Sequence, residues 1–248
     1  MMTMKEKLQD VSKASLDLLF PPSCSYCKEA TVGSDKYLCQ KCFSQLKFIK
    51  TPYCTCCGRV FSNRDENHLC GDCLKSSWAF DKARSLFSYE EVIAGLIHNL
   101  KYSEVMTGLN TFRWLSKKST LLNDLNIPDV ILPVPLHIKR LRQRGFNQAL
   151  LLAKSLFSDD KKKIRHDLLA RQVDTPSQTG LSGIERRKNL RNAFVVKDPS
   201  PLNGKNVLIF DDVFTTGSTI HECAKALKSA GADSVEALTI CRADKIFS

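Results

Sequence analysis

A chain of 248 residues with 37 Lys and Arg against 26 Asp and Glu carries a formal charge of +11, and its length suits one ordinary domain plus a small one. No apolar run approaches membrane-spanning length, which excludes a helical integral membrane protein. Lys5, Glu6, Lys7, Asp10, Lys13 and Asp17 interrupt the first twenty residues, so no secretory leader is read there and a cytoplasmic location is expected.

Leu8, Val11, Ser15, Leu18 and Leu19 fall near one face of a helix over residues 1–20, which "PPSC" stops; it is expected to pack on its own body rather than insert in a membrane. Next comes a cysteine-rich head, residues 21–78, holding the knuckles Cys24/Cys27, Cys39/Cys42, Cys54/Cys57 and Cys70/Cys73. In a reducing compartment such pairs point to metal rather than disulfides. A CxxC knuckle offers two thiolates to one side of a tetrahedral ion, so two knuckles make a closed structural site and four imply two zinc ions. The spacing suits sequential pairing, the first four cysteines on one ion and the last four on the other, and equally an interleaved cross-brace. Cys56 breaks the two-residue gap and reads as a small side chain within a knuckle, while His68 is the lesser alternative as a ligand. So short a segment cannot bury much apolar surface, and metal removal is expected to loosen the head alone.

Residues 79–248 read as an α/β body. "ARSLFSYEE" looks like a strand, and "VIAGLIHNLKY" like a helix with Val92, Leu96, Ile97 and Leu100 inward and Lys101 a candidate to face a ligand crevice. Val130 to Val134 form a short buried strand ended by Pro135. A basic loop with Lys139, Arg140, Arg142 and Arg144 follows, then a helix from about Asn147 to Leu156. At the carboxyl edge of a sheet these side chains offer paired donors to phosphate, and Gly145 allows close backbone approach. Between Val134 and Asn192 there are 14 Lys and Arg against 5 Asp and Glu, so this stretch holds most of the excess positive charge and is suited to phosphates of a small ligand or of nucleic acid.

The polar segment 171–194 reads as a lid loop leading into a helix near residues 184–191, with Arg171, Thr175, Gln178 and Arg187 as its ligand-facing candidates. "VLIFDDVFTTGST", residues 207–219, runs a buried strand into Asp211 and Asp212 and then into Thr215, Thr216, Gly217, Ser218 and Thr219. Carboxylates suit sugar hydroxyls, and hydroxyls with the free N–H groups of a helix start suit phosphate, so the stretch is expected to hold a ribose 5-phosphate. A helix over 219–230, closed by Gly231, and a last strand in "SVEALTICRA" complete an alternation that predicts a parallel sheet.

This thirteen-residue stretch resembles the phosphoribosyl pyrophosphate (PRPP) signature of type I phosphoribosyltransferases. With the eight-cysteine head, "LLFPPSC", "NLKY", "PVPLHIKRLRQRGFNQA" and "TPSQTGLSGIERRKNLRNAF", the whole chain resembles the ComF family of competence-associated ComFC and GntX-type proteins. The resemblance implies a parallel-sheet type I phosphoribosyltransferase fold behind a double zinc ribbon. It gives Asp211 and Asp212 the ribose hydroxyls, Thr215 to Thr219 the 5-phosphate, and Leu136 to Arg144 the pyrophosphate with magnesium. No separate hood follows the last strand, and no tract carries a base-recognition pattern.

Three functions are compatible with these residues. The first is a PRPP-dependent transferase, a pentosyl transfer enzyme whose acceptor the sequence does not name. The second is a PRPP-binding protein that handles single-stranded DNA during uptake in natural transformation, which the family resemblance favours. The third is a scaffold whose ribbons dock a competence helicase or another uptake component.

Overall fold

The computed structural model describes residues 22–31, 37–63, 65–100, 105–173 and 190–243. The helix expected over residues 1–20, together with Lys101, Thr175, Gln178 and Arg187, lies outside the described residues. Two short helices, α1 (Gln40–Ser44) and α2 (Gly71–Lys75), belong to the cysteine-rich head. Then follow β1 (Lys82–Ser88), α3 (Glu91–Asn99), α4 (Val105–Ser116), a 3-10 turn at Leu121–Asp124, β2 (Val130–Pro133), α5 (Ile138–Arg144) and α6 (Gln148–Leu156). The remainder comprises β3 (Leu169–Arg171), β4 (Phe194–Val196), β5 (Asn206–Phe214), α7 (Ser218–Ser229) and β6 (Ser234–Arg242).

A four-stranded sheet runs in the order β1-β6-β5-β2, every neighbour parallel, as the alternation of strands and helices requires. The register sets Val207 beside Val235 and Ile209 beside Ala237, and Val130 beside Val207. Because successive side chains point to opposite faces, the apolar run Val207–Phe210 of β5 and the apolar residues of β6 feed two cores. Leu208, Phe210, Leu238 and Ile240 pack with α3, α4 and α6, whereas Val207, Ile209, Val235 and Ala237 pack with α7, β3 and β4. Among the described residues no helix is long and apolar enough to cross a membrane.

Each half of the cysteine-rich head belongs to a different core: Cys24, Leu38 and Cys42 to the first face, Cys54, Cys57 and Cys70 to the second. Both halves of the head are thus packed on the body, and polar contacts reinforce the point. Ser25 bonds Thr111 on α4 at 2.8 Å, Asn99 on α3 donates to the Ser25 carbonyl, and the Tyr26 hydroxyl donates to Glu91. On the other face Arg84 of β1, only 3% exposed, donates to the carbonyls of Thr55 and Cys56 and pairs with Asp124. Its strand neighbour Ala83 donates to the Cys56 carbonyl at 2.7 Å, and Arg242 at the end of β6 donates to the Cys57 carbonyl at 2.7 Å. A buried guanidinium is tolerated only with such partners. Burial would raise the Asp124 carboxyl, but Arg84 and then Lys82 outweigh it and hold it below the usual range.

One reading of the body is corrected. The basic stretch taken as a loop is the helix α5, closed by Gly145 in the left-handed conformation at φ 76°. At the two ends of segment 171–194, β3 and β4 pair antiparallel, Arg171 opposite Phe194, while the lid loop and most of the helix read near residues 184–191 lie outside the described residues.

Candidate ribose-phosphate site and metal centres

A crevice of about 310 Å³ opens at the carboxyl end of β2 and β5, where parallel α/β sheets carry their ligands. Asp211 and Asp212 line it, but strand pairing continues past them to Phe214, so the acids sit within the last turn of the pleat rather than beyond it. Adjacent strand residues face opposite ways. Asp211 shares its side of the sheet with Cys223 of α7 and Arg171 of β3, whose charge acts on it, and its carboxylate accepts the Asp212 N–H at 2.9 Å. Burial first, and then the charge of Asp212, push the Asp211 carboxyl well above its ordinary range; Arg171 opposes this. Both acids are half-buried in the crevice.

Beyond Phe214 the chain turns into α7. Gly217 occupies its N-cap at φ 76°, and its carbonyl accepts the His221 N–H at 2.8 Å, starting the helix. The N–H groups of the first helical turn have no intrahelical acceptor and carry the positive end of the helix dipole. Thr215, Gly217 and Thr219 line the crevice. Ser218 does not: it is 3% exposed, and its hydroxyl lies 2.8 Å from that of Thr216. Thr216 instead lines a second, smaller cavity of about 40 Å³ shared with the cysteine-rich head.

Opposite the acids stand basic side chains on two elements. Arg140 and Arg144, one helical turn apart on α5, line the crevice with Leu136, whereas Lys139 and Arg142 are exposed on other sides of that helix. Helical geometry, where a loop was expected, splits the four basic residues in this way. Arg171 reaches the crevice from β3, its guanidinium 5.7 Å from the centre of the Phe194 ring. Asn147 and Gln148 at the start of α6 also line it, and neither was singled out from the sequence although both lie in "GFNQA". Asn147 caps α6 and donates to the Val134 carbonyl. Gln148 is 4% exposed, donates to the Ile97 carbonyl, and its Oε1 finds no partner in the described structure.

In the head the cysteines group sequentially, Cys24/Cys27/Cys39/Cys42 and Cys54/Cys57/Cys70/Cys73, each set of sulfurs lying within 4.8 Å of one another. The cross-brace is thereby excluded. Four thiolates about 2.3 Å from a tetrahedral zinc stand about 3.8 Å apart. Cys27 and Cys39 are 3.7 Å apart, as are Cys57 and Cys70, so both donor sets fit that ion. His68 stacks on Phe61 with ring centres 4.1 Å apart and is in neither set, and Cys56 is outside both as well.

Comparison with known proteins gives two domain matches. Residues 15–74 match the double zinc ribbon domain and residues 145–245 the phosphoribosyl transferase domain. The chain is 32% identical over 227 residues to "Competence protein F" of Haemophilus influenzae, covering 89% of this chain and 96% of that protein. It is 32% identical over 233 residues to "DNA utilization protein YhgH" of Escherichia coli K12, covering 91% and 99%. To "Competence protein ComFC" of Bacillus subtilis it is 30% identical over 243 residues, covering 94% and 90%. Similarity that runs nearly end to end through ribbons, sheet and crevice makes this chain a member of the ComF family.

Proposed function

We propose that the crevice binds PRPP with magnesium and that the protein serves DNA uptake in natural transformation from the cytoplasm. The observation that carries the ligand reading is the opposition, across one crevice, of the Asp211–Asp212 pair and the α7 N-terminus to Arg140, Arg144 and Arg171. In this reading Asp211 and Asp212 accept the ribose 2- and 3-hydroxyls, and the N–H groups around Gly217 with the Thr215 and Thr219 hydroxyls hold the 5-phosphate. Arg140, Arg144 and Arg171 neutralise the pyrophosphate.

Two carboxylates plus ligand phosphates are a donor set that suits magnesium, which keeps its remaining water. Bound there, magnesium would draw charge from departing pyrophosphate. Were transfer to occur, the anomeric C–O bond would break toward an oxocarbenium-like carbon, with the arginines holding the negative charge that leaves and an acceptor closing the bond. Zinc in the two ribbons is structural, with residues 21–78 as the ribbon unit and 79–248 as the transferase-like unit.

The names of the relatives support the competence role, and single-stranded DNA is the partner that the exposed cations Lys139 and Arg142 favour. Calorimetric titration with PRPP and magnesium tests the ligand reading, with Asp211→Asn/Asp212→Asn as control. Saturable one-site binding lost in the double variant is expected; absence of binding to the unaltered chain overturns the reading.

A further inference from the structure

The second cysteine site and the turn of the phosphate-binding loop are joined by an unbroken chain of contacts. Cys57 supplies a thiolate to that site, and its carbonyl accepts from Arg242 at 2.7 Å. The Arg242 guanidinium, buried with its residue 3% exposed, lies 4.7 Å from the centre of the Phe214 ring. Phe214 pairs with Arg242 in the sheet register, and its carbonyl accepts the Ala243 N–H at 2.9 Å. The same ring fills the space under Gly217, where a Cβ would come within 2.8 Å of it. Between the ribbon and the loop lies the cavity of about 40 Å³, lined by Cys57, Arg59 and Trp78 on one side and Phe214, Thr215 and Thr216 on the other.

Among the described residues the first cysteine site has no such path. Its contacts run to α3 and α4, through Ser25, Tyr26 and Asn99, on the opposite face of the sheet. The knuckle at Cys54 to Cys57 is shaped by its sulfurs: the Cys54 thiolate accepts the N–H groups of Cys57 and Cys70 at 3.5 and 3.2 Å. A knuckle that loses the ion joining those sulfurs loses what holds the Cys57 carbonyl toward Arg242.

We propose that metal loading of the second ribbon regulates the ligand crevice, with Arg242 as the positioning residue that transmits it to Phe214 and Gly217, while the first ribbon has no such influence. This rests on residues 215–219 being the phosphate-binding loop. Local stability of the loop is the quantity transmitted, and amide hydrogen exchange reads it without any ligand.

The test compares exchange in the full zinc-loaded chain with that in Cys70→Ser, Cys39→Ser and Arg242→Met, with zinc content determined for each. Cys70→Ser and Arg242→Met should each speed exchange at 214–219 by about tenfold relative to α6, the scale expected of a local rather than global opening. Arg242→Met should do so while keeping both ions. Cys39→Ser should speed exchange over 91–99 and 105–116 instead.

Unchanged exchange at 214–219 in Arg242→Met, or an equal rise there in Cys39→Ser, overturns the proposal. Should Cys70→Ser fail to fold, the Arg242→Met comparison decides alone. PRPP titration of the same samples should show about tenfold weaker binding in the two affected variants. If the unaltered chain binds no PRPP, the ligand reading falls while the exchange comparison still decides the coupling.

Discussion

The Phe214 ring lies beneath Gly217, so a Cβ at position 217 would stand 2.8 Å from the ring's Cζ and 3.4 Å from its Cε1. Gly217 also holds φ at 76°, in the left-handed region that side chains disfavour. Gly217→Ala should therefore lower stability by about 1–3 kcal/mol and weaken PRPP binding, as thermal melting and calorimetry would register. Adding Phe214→Leu should recover the part due to collision and leave the part due to the backbone.

A different balance governs Asp211. Its carboxyl is raised by burial and by Asp212, so the folded chain keeps this proton to higher pH than the unfolded chain does. The resulting stability is fully present below the unfolded value of about 3.9 and is lost as pH rises through the folded value. Asp211→Asn should accordingly melt at a higher temperature than the unaltered chain at neutral pH, show no advantage below about pH 4, and bind no PRPP. A lower melting temperature at pH 7 would mean that the ionised acid stabilises the fold.

Gly95 tests how the first ribbon is seated. In an exposed helix interior, Gly→Ala gains about 1 kcal/mol. Here a Cβ on α3 would run into the Tyr26 ring, whose hydroxyl is itself bonded to Glu91 at 3.0 Å. Gly95→Ala should lower the melting temperature, and Tyr26→Ala in the same chain should restore the helix preference.

The two cations that α5 turns away from the crevice separate DNA binding from PRPP binding. Lys139→Ala with Arg142→Ala should weaken single-stranded DNA binding and reduce its log–log salt slope by about 1–2, with PRPP affinity unchanged. Filter binding across a salt series would measure it. An unchanged slope would place the DNA contact elsewhere.

Much of this arrangement was legible in the residues. The apolar runs of β5 and β6 announced a buried parallel sheet, and the cysteine spacing announced two four-thiolate sites, because strand burial and metal geometry are both local patterns. Long-range packing was not legible. Strands of three residues, such as Leu169–Arg171 and Phe194–Val196, are too short to show a period. Among its residues α5 buries none, so it offered no helical stripe and was read as a loop. Arg84 and Arg242 look like ordinary polar strand residues until the knuckle carbonyls they bind are brought beside them, and the opposite seating of the ribbons follows from the same tertiary contacts.

The sheet order has a consequence for how the chain is assembled. Strand β6 lies between β1 and β5, so the earliest strand has no partner within the four-stranded sheet until the latest one described has been made. Lys82 must wait for Glu236, and such distant pairing is slow because loop closure precedes its reward. During synthesis, therefore, a nascent chain can fill its thiolate sites well before β6 arrives with Arg242, and for that interval the ribbons emerge onto an unclosed surface with exposed apolar strands. A translation pause ahead of residue 234 would prolong that exposure, making the last strand the step at which chaperone dependence concentrates.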